Sequence, residues 1–175
     1  MILCADEMIL STQTTFQRIW LPEGKYPKVE ISNTRKNISI YGFLNIKTGK
    51  EHAFTTPKQT MYETTKILQK IRQIYPRKSN KENKLKGNKL VILWDNPGWH
   101  RGSKVTDYIK KDGKIKLLYF PKYSPEENPQ GHVWKEGRSK VTNNKFIPNL
   151  EKTAKLELRS IKIIHKIETF GIVHT

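Results

Sequence analysis

Cysteine is almost absent. Cys4 is the only one in 175 residues, which rules out an internal disulfide and a cysteine-based zinc cluster and fits a reducing, cytoplasmic compartment. Long apolar runs are also lacking. The longest, residues 89–94 (Lys-Leu-Val-Ile-Leu-Trp), falls far short of a membrane span, and no basic segment followed by a long apolar stretch opens the chain, so membrane and secretion readings are disfavoured. Acidic residues are scarce: 16 Asp and Glu face 33 Lys and Arg, a formal net charge of +17. That excess is larger than solubility requires and favours a polyanionic partner, nucleic acid first, with a generically lysine-coated surface as the competing explanation.

At this length, with 35% hydrophobic residues, the chain can build one core but not two, so residues 1–175 are expected to form a single domain. The apolar start, Met1 to Cys4, runs straight into Asp6-Glu7, which reads as a buried strand with almost nothing ahead of it. Residues 15–20 and 38–46 cluster β-branched and aromatic side chains, and Lys47-Thr48-Gly49-Lys50 is a hairpin turn leading into 51–56; these are expected to be antiparallel strands. Over 59–74, Met61, Ile67, Leu68, Ile71 and Ile74 recur at helical spacing until Pro76 stops them. Residues 77–89 have no apolar periodicity and read as an exposed basic connection, either a solvated loop or an arm on DNA.

The second half alternates strand and helix. The run 89–94 reads as a strand buried on both faces and ending at Asp95; 103–111 as a helix; 115–120 as another buried strand; 121–129 as a loop. Asn128 then suits a helix cap and Pro129 the first helical position, with Val133, Trp134 and Val141 following at helical spacing. A last helix is expected over 148–169. Strands first, then alternation, imply an α/β layer fold around a mixed sheet.

Asp6 and Asp95 fall at the ends of two expected central strands, where open α/β sheets place their ligand sites. Phosphodiester chemistry calls for hard divalent cations held by carboxylate oxygens, and aspartates on adjacent strand ends can supply them. An acid that merely caps a strand-to-turn transition is the competing reading for either one alone. His100, five residues after Asp95, could approach the site, but packing or helix initiation explains it equally well. Tyr119, Phe120, Tyr123 and Trp134 read as core and loop packing. Lys122, Lys135, Arg138 and Lys140 surround the loop and the motif helix, either as phosphate contacts on DNA or as a solvated face.

Two stretches narrow the choice: Trp94-Asp95-Asn96-Pro97-Gly98-Trp99-His100, and residues 119–134, which contain Tyr123-Ser124-Pro125-Glu126-Glu127-Asn128-Pro129-Gln130-Gly131-His132-Val133-Trp134. Together with Asp6-Glu7 and Trp20-Leu21-Pro22-Glu23-Gly24, they resemble mariner-superfamily transposases, particularly the bacterial and archaeal insertion-sequence branch. The family pattern is an apolar strand, Asp-Asn-x-x-x-His, a second strand, then Tyr-Ser-Pro-x-x-Asn-Pro-x-Glu-x-x-Trp. The resemblance covers essentially the whole chain in the right order. It implies a ribonuclease-H-like fold, a two-metal site holding Mg²⁺ or Mn²⁺, and DNA strand cleavage and transfer at transposon ends. It also implies DNA as partner, a homodimer on DNA ends, and a prokaryotic cytoplasmic setting associated with the nucleoid. By position, Asp6 and Asp95 are the first two metal ligands. The family's N-terminal helix-turn-helix part is expected to be absent.

The third acid of the pattern aligns with Gly131, 36 positions after Asp95. A glycine has no side chain to bind a metal. Glu126 and Glu127 precede the helix and Glu136 is rotated away from the face of position 131, so none substitutes convincingly. The expected function is therefore a DDE transposase catalytic domain with reduced or absent cleavage. The rival is an inactive DNA-binding or assembly remnant of the same fold; a ribonuclease-H-like nuclease with a different third ligand is disfavoured by the motif block.

Overall fold

The structure is a computed structural model and describes residues 1–76, 89–95, 97–121 and 127–168. Most of the basic connection, together with Asn96 and the loop 122–126 that carries Lys122, Tyr123, Ser124, Pro125 and Glu126, lies outside the described residues. The elements in chain order are β1 (Ile2–Ser11), β2 (Asn37–Asn45), β3 (Glu51–Thr56), α1 (Met61–Ile74), β4 (Leu90–Trp94), α2 (Ser103–Asp112), β5 (Ile115–Tyr119), α3 (Gln130–Val141) and α4 (Leu150–Glu168). A short 3₁₀ turn, Gly98–Arg101, joins β4 to α2.

The five strands form one mixed sheet in the order β3-β2-β1-β4-β5. β1 pairs antiparallel with β2 and parallel with β4, and β4 pairs parallel with β5. Because side chains alternate along a strand, β1 contributes to the apolar layer on each face of the one sheet. Leu3 and Ala5 join Tyr41, Phe43, Ile67, Leu68 and Ile71 on the face covered by α1 and α2, whereas Cys4, Met8 and Leu10 meet Val133, Trp134 and Ala154 of α3 and α4 on the other. The expected mixed-sheet α/β architecture is therefore present, with helices on both faces.

Local chemistry explains the boundaries. Thr60 caps α1 by accepting a hydrogen bond from the Glu63 amide, which starts the helix at Met61, the first residue of the apolar stripe, two residues after the expected start at 59. Gly113, at φ 69°, closes α2 in the left-handed conformation that glycine adopts without a Cβ clash. At the start of α3 the Asn128 side chain accepts from the Gln130 amide, and Pro129 has helical dihedrals, as the sequence reading anticipated.

Three expectations are corrected. Residues 15–20 form no strand: the segment 12–36 is irregular, and the backbone groups of Thr15 and Gln17 bond instead to Asn144 after α3, which fixes the segment without a ladder. Within it, Trp20-Leu21-Pro22-Glu23-Gly24 is a turn closed by the Lys25 amide on the Pro22 carbonyl, with Gly24 at φ 78°. β5 is an edge strand, so Leu118 and Tyr119 are exposed and not buried. Asp6 lies in the middle of β1, because pairing with β2 carries that strand on to Ser11 after pairing with β4 has stopped at Cys4.

The α3–α4 interface contains a buried acid. Glu157 is fully buried beside Gly137, and neither carboxylate oxygen has a hydrogen-bond partner among the described residues. Burial pushes its carboxyl up to about 7, with the charges of Arg138 and Lys145 pulling the other way. Between the unfolded value and the raised folded one, the native state holds a proton that the unfolded chain has lost. Folding stability is thus expected to fall by on the order of 3 kcal/mol as pH rises from about 4 to about 7. Glu157→Gln should flatten this slope and raise the melting temperature at pH 8 by several degrees, with little gain at pH 4. Thermal melts at the two pH values check it.

Candidate active site

Beyond the last β1–β4 pair, Cys4 with Leu93, the two strands carry the acids singled out from the sequence. Asp6 points to the α3 face, where the Trp134 indole Nε1 donates to its Oδ2 at 3.0 Å. Asp95 follows the end of β4, and its side chain is 51% exposed, open to a ligand. Burial pushes the Asp6 carboxyl up to about 6, and the charge of Asp95 adds to the rise; bonds from the Glu7 backbone and Trp134 oppose it. Asp95 is also raised, first by burial and then by the charge of Glu7, while His100 counteracts both. Beyond burial, the charge of Asp95 thus raises Asp6, that of Asp6 raises Glu7 and that of Glu7 raises Asp95, and a cation beside such acids would relieve them.

Glu7 points to the opposite face of β1 from Asp6. Its carboxylate Oε1 lies 2.7 Å from His100 Nε2, and both side chains are almost wholly buried. The other ring nitrogen, Nδ1, lies 3.1 Å from the Asp95 carbonyl and 3.5 Å from its Oδ1. The imidazole rests on the Trp94 ring with centroids 3.9 Å apart. The sequence reading left His100 between packing and catalysis and assigned Glu7 no role. The signal was present in the adjacency of Asp6 and Glu7, since a period of two must send them to opposite faces.

On the α3 side a cleft of about 510 Å³ is lined by Asp6, Thr15, Phe16, Gly131, Lys135 and Arg138, among others. Asp6, position 131 and two of the four basic residues singled out from the sequence therefore share one space. A Cβ added at Gly131 would meet nothing within 4 Å. Lys140 is directed elsewhere, in an exposed ion pair with Glu136 at 2.8 Å. The close fit of α3 on the sheet depends on Gly42, opposite Asp6 in the β1–β2 ladder: a Cβ there would lie 2.2 Å from Gln130 Nε2 and 2.5 Å from the Trp134 ring. Gln130 Nε2 also donates to buried Glu51 at 2.9 Å. Neither contact was readable from the sequence.

A central strand bearing an aspartate over a cleft that the first turn of α3 also lines, with a second aspartate at the end of the neighbouring strand, has a counterpart among known families. A family model described as DDE superfamily endonuclease matches residues 1–154. The chain belongs to that superfamily. A curated relative, the uncharacterized protein y4pE/y4sA of Sinorhizobium fredii (strain NBRC 101917 / NGR234), is 32% identical over 65 residues, covering 37% of this chain and 45% of the relative. Among solved structures, the Mos1 transposase paired-end complex with left transposon end superposes with a TM-score of 0.63 at 12% identity, over 94% of this chain and 52% of the other. A pre-cleavage Mos1 transpososome gives a TM-score of 0.65 at the same identity, over 94% of this chain and 53% of the other. The HTLV-2 integrase catalytic core domain in complex with magnesium (dimeric form) gives 0.51 at 11% identity, over 90% and 81%. The ribonuclease-H-like fold of transposase and integrase catalytic cores is thus the fold of this member of the superfamily, which spans about half the length of the matched Mos1 chains.

Proposed function

We propose that this DDE-superfamily chain is a DNA transposase catalytic domain spanning residues 1–175, built for metal-dependent strand cleavage and transfer and weakened by Gly131. The observation that carries the reading is the cleft itself: Asp6, Gly131, Lys135 and Arg138 line one space, and Asp95 is close enough for its charge to act on Asp6. The donor set fits a Mg²⁺- or Mn²⁺-type cation in kind, because both groups are hard carboxylates, and falls one carboxylate short in number. When bound, such ions activate the attacking oxygen and stabilise the leaving one.

The chain's own residues bind and orient. Trp134 holds the Asp6 carboxylate, Asp95 stands open at the end of β4, and Lys135 and Arg138 offer cations along the cleft to a phosphate backbone. Structures related in fold are described as complexes with transposon ends and with Mn, Mg or magnesium, which supports extending the same partners to this chain. Pairing of two copies on DNA belongs to the same reading, and sedimentation with and without end DNA checks it. Among the described residues no helix is long and apolar enough to cross a membrane.

The test is binding of a duplex end as a function of salt, followed by nicking with Mn²⁺. Lys135→Ala and Arg138→Ala should each weaken binding and lower the salt slope by about one, whereas Lys140→Ala, already paired with Glu136, should change it less. Any nicking should vanish in Asp6→Asn and in Asp95→Asn. Nicking that survives both substitutions refutes the site. An inactive DNA-binding remnant is the second reading, favoured by the missing donor at position 131; salt-dependent binding without nicking, even when a glutamate is restored there, would select it.

A further inference from the structure

The parallel ladder that joins β1 to β4 ends at Cys4 and Leu93, before either acid of the site. Asp6 continues along β2 and Asp95 follows the strand end that pairs with β5, so the backbone ladder does not set their separation. A side-chain bridge crosses this gap. It runs from Glu7, the neighbour of Asp6, through His100 to the main chain of Asp95.

The chemistry of the bridge is directional. The Asp95 carbonyl can only accept, so His100 Nδ1 must carry a hydrogen, and the 2.7 Å contact of Nε2 with the Glu7 carboxyl holds one further hydrogen between them. Stacking on Trp94 and complete burial fix the ring plane. We propose that Glu7 and His100 are positioning residues, a clip that sets Asp95 against Asp6 for cation binding. This rests on the reading that Asp6 and Asp95 hold the cation. Glu7, Asp95 and His100 could instead be ligands themselves, since one ligand atom from each lies within 4.8 Å of the others. Both ring nitrogens are already engaged, however, and a cation on Nε2 would have to displace the 2.7 Å contact with Glu7.

Mn²⁺ titration of the full chain, followed by electron paramagnetic resonance alongside thermal melts without metal, tests the clip. Glu7→Ala and His100→Leu should weaken Mn²⁺ binding by about 10- to 100-fold, the usual effect of losing a partner that orients a ligand. Glu7→Gln should restore affinity, because an amide can donate to Nε2 and keep the hydrogen on Nδ1. His100→Asn should restore part of it, because its amide can replace the Nδ1 donor. A purely structural role would instead leave Mn²⁺ affinity unchanged at temperatures where each variant is folded. Wild-type affinity in Glu7→Ala and His100→Leu, with loss in Asp95→Asn, overturns the clip alone. Indifference to both Asp6→Asn and Asp95→Asn overturns the reading beneath it. Zn²⁺ binding abolished by His100→Leu and retained by Asp6→Asn would replace the clip with a separate metal site.

Discussion

Gly131→Glu is expected to raise Mn²⁺-dependent nicking of a transposon-end duplex by at least on the order of 10²-fold, about 3 kcal/mol of transition-state stabilisation. The position lies in the first turn of α3, in the cleft that Asp6 lines, and open space surrounds the place where its Cβ would be. A carboxylate there needs no rearrangement to enter, and it supplies the donor that the pair Asp6 and Asp95 lacks. Stability should move the same way. Replacing a helical glycine recovers up to about 1 kcal/mol, and an acid in the first turn of a helix adds about 0.3–1 kcal/mol through the macrodipole. Nicking assays and melting curves on the two forms, each fused to a related end-binding domain, measure both effects. A variant that is more stable but no more active would mean that position 131 is a helix position only. Equal nicking by both forms would mean that another group completes the site.

Gly42→Ala should be the most damaging single-methyl change at the site. Its Cβ would come within 2.2 Å of Gln130 Nε2 and within 2.5–2.6 Å of two Trp134 ring carbons, all separations that real structures avoid. The Gln130 amide could swing aside, but the indole is rigid and bonded to Asp6, so α3 itself must lift. Overpacking of this kind costs about 1–3 kcal/mol, which lowers the melting temperature of a domain this size by roughly 2–12 °C. Trp134 fluorescence should report the loosened contact, and Mn²⁺ affinity should drop with it if Asp6 moves. An unchanged melting temperature would show that α3 accommodates the methyl group and that the close approach of Gly42 constrains nothing.

These two glycines differ in what the sequence could say about them. Gly131 was identifiable because Asn128-Pro129 announces a helix start and a long motif places an acid three residues after the cap. Gly42 was invisible, because nothing along β2 says which helix will lie across it. The strand 90–94 and the stripe of α1 were legible for a similar reason to Gly131: their signals are local and periodic. Residues 15–20 looked just as strand-like, yet their backbone groups found Asn144, some 125 positions further on. β5 reads as a buried strand apart from Lys116, but the order of strands in the sheet makes it an edge.

The sequence by itself determined which groups are available: Asp6 and Asp95, a glycine at position 131, the Asn128-Pro129 helix start ahead of it, and a large excess of positive charge. These are properties of residue type and spacing, and they survive any folding detail. The tertiary structure alone decided which groups meet. It sent Asp6 toward Trp134 and the cleft while Glu7 went to His100, it gathered Lys135 and Arg138 into that cleft while pairing Lys140 outside it, and it joined His100 to Asp95 where the strand ladder had ended. The contacts of Asp6 with Trp134 and of Glu7 with His100 join residues 128 and 93 positions apart. They are fixed by the packing of helices against a sheet, for which a linear pattern carries no coordinate.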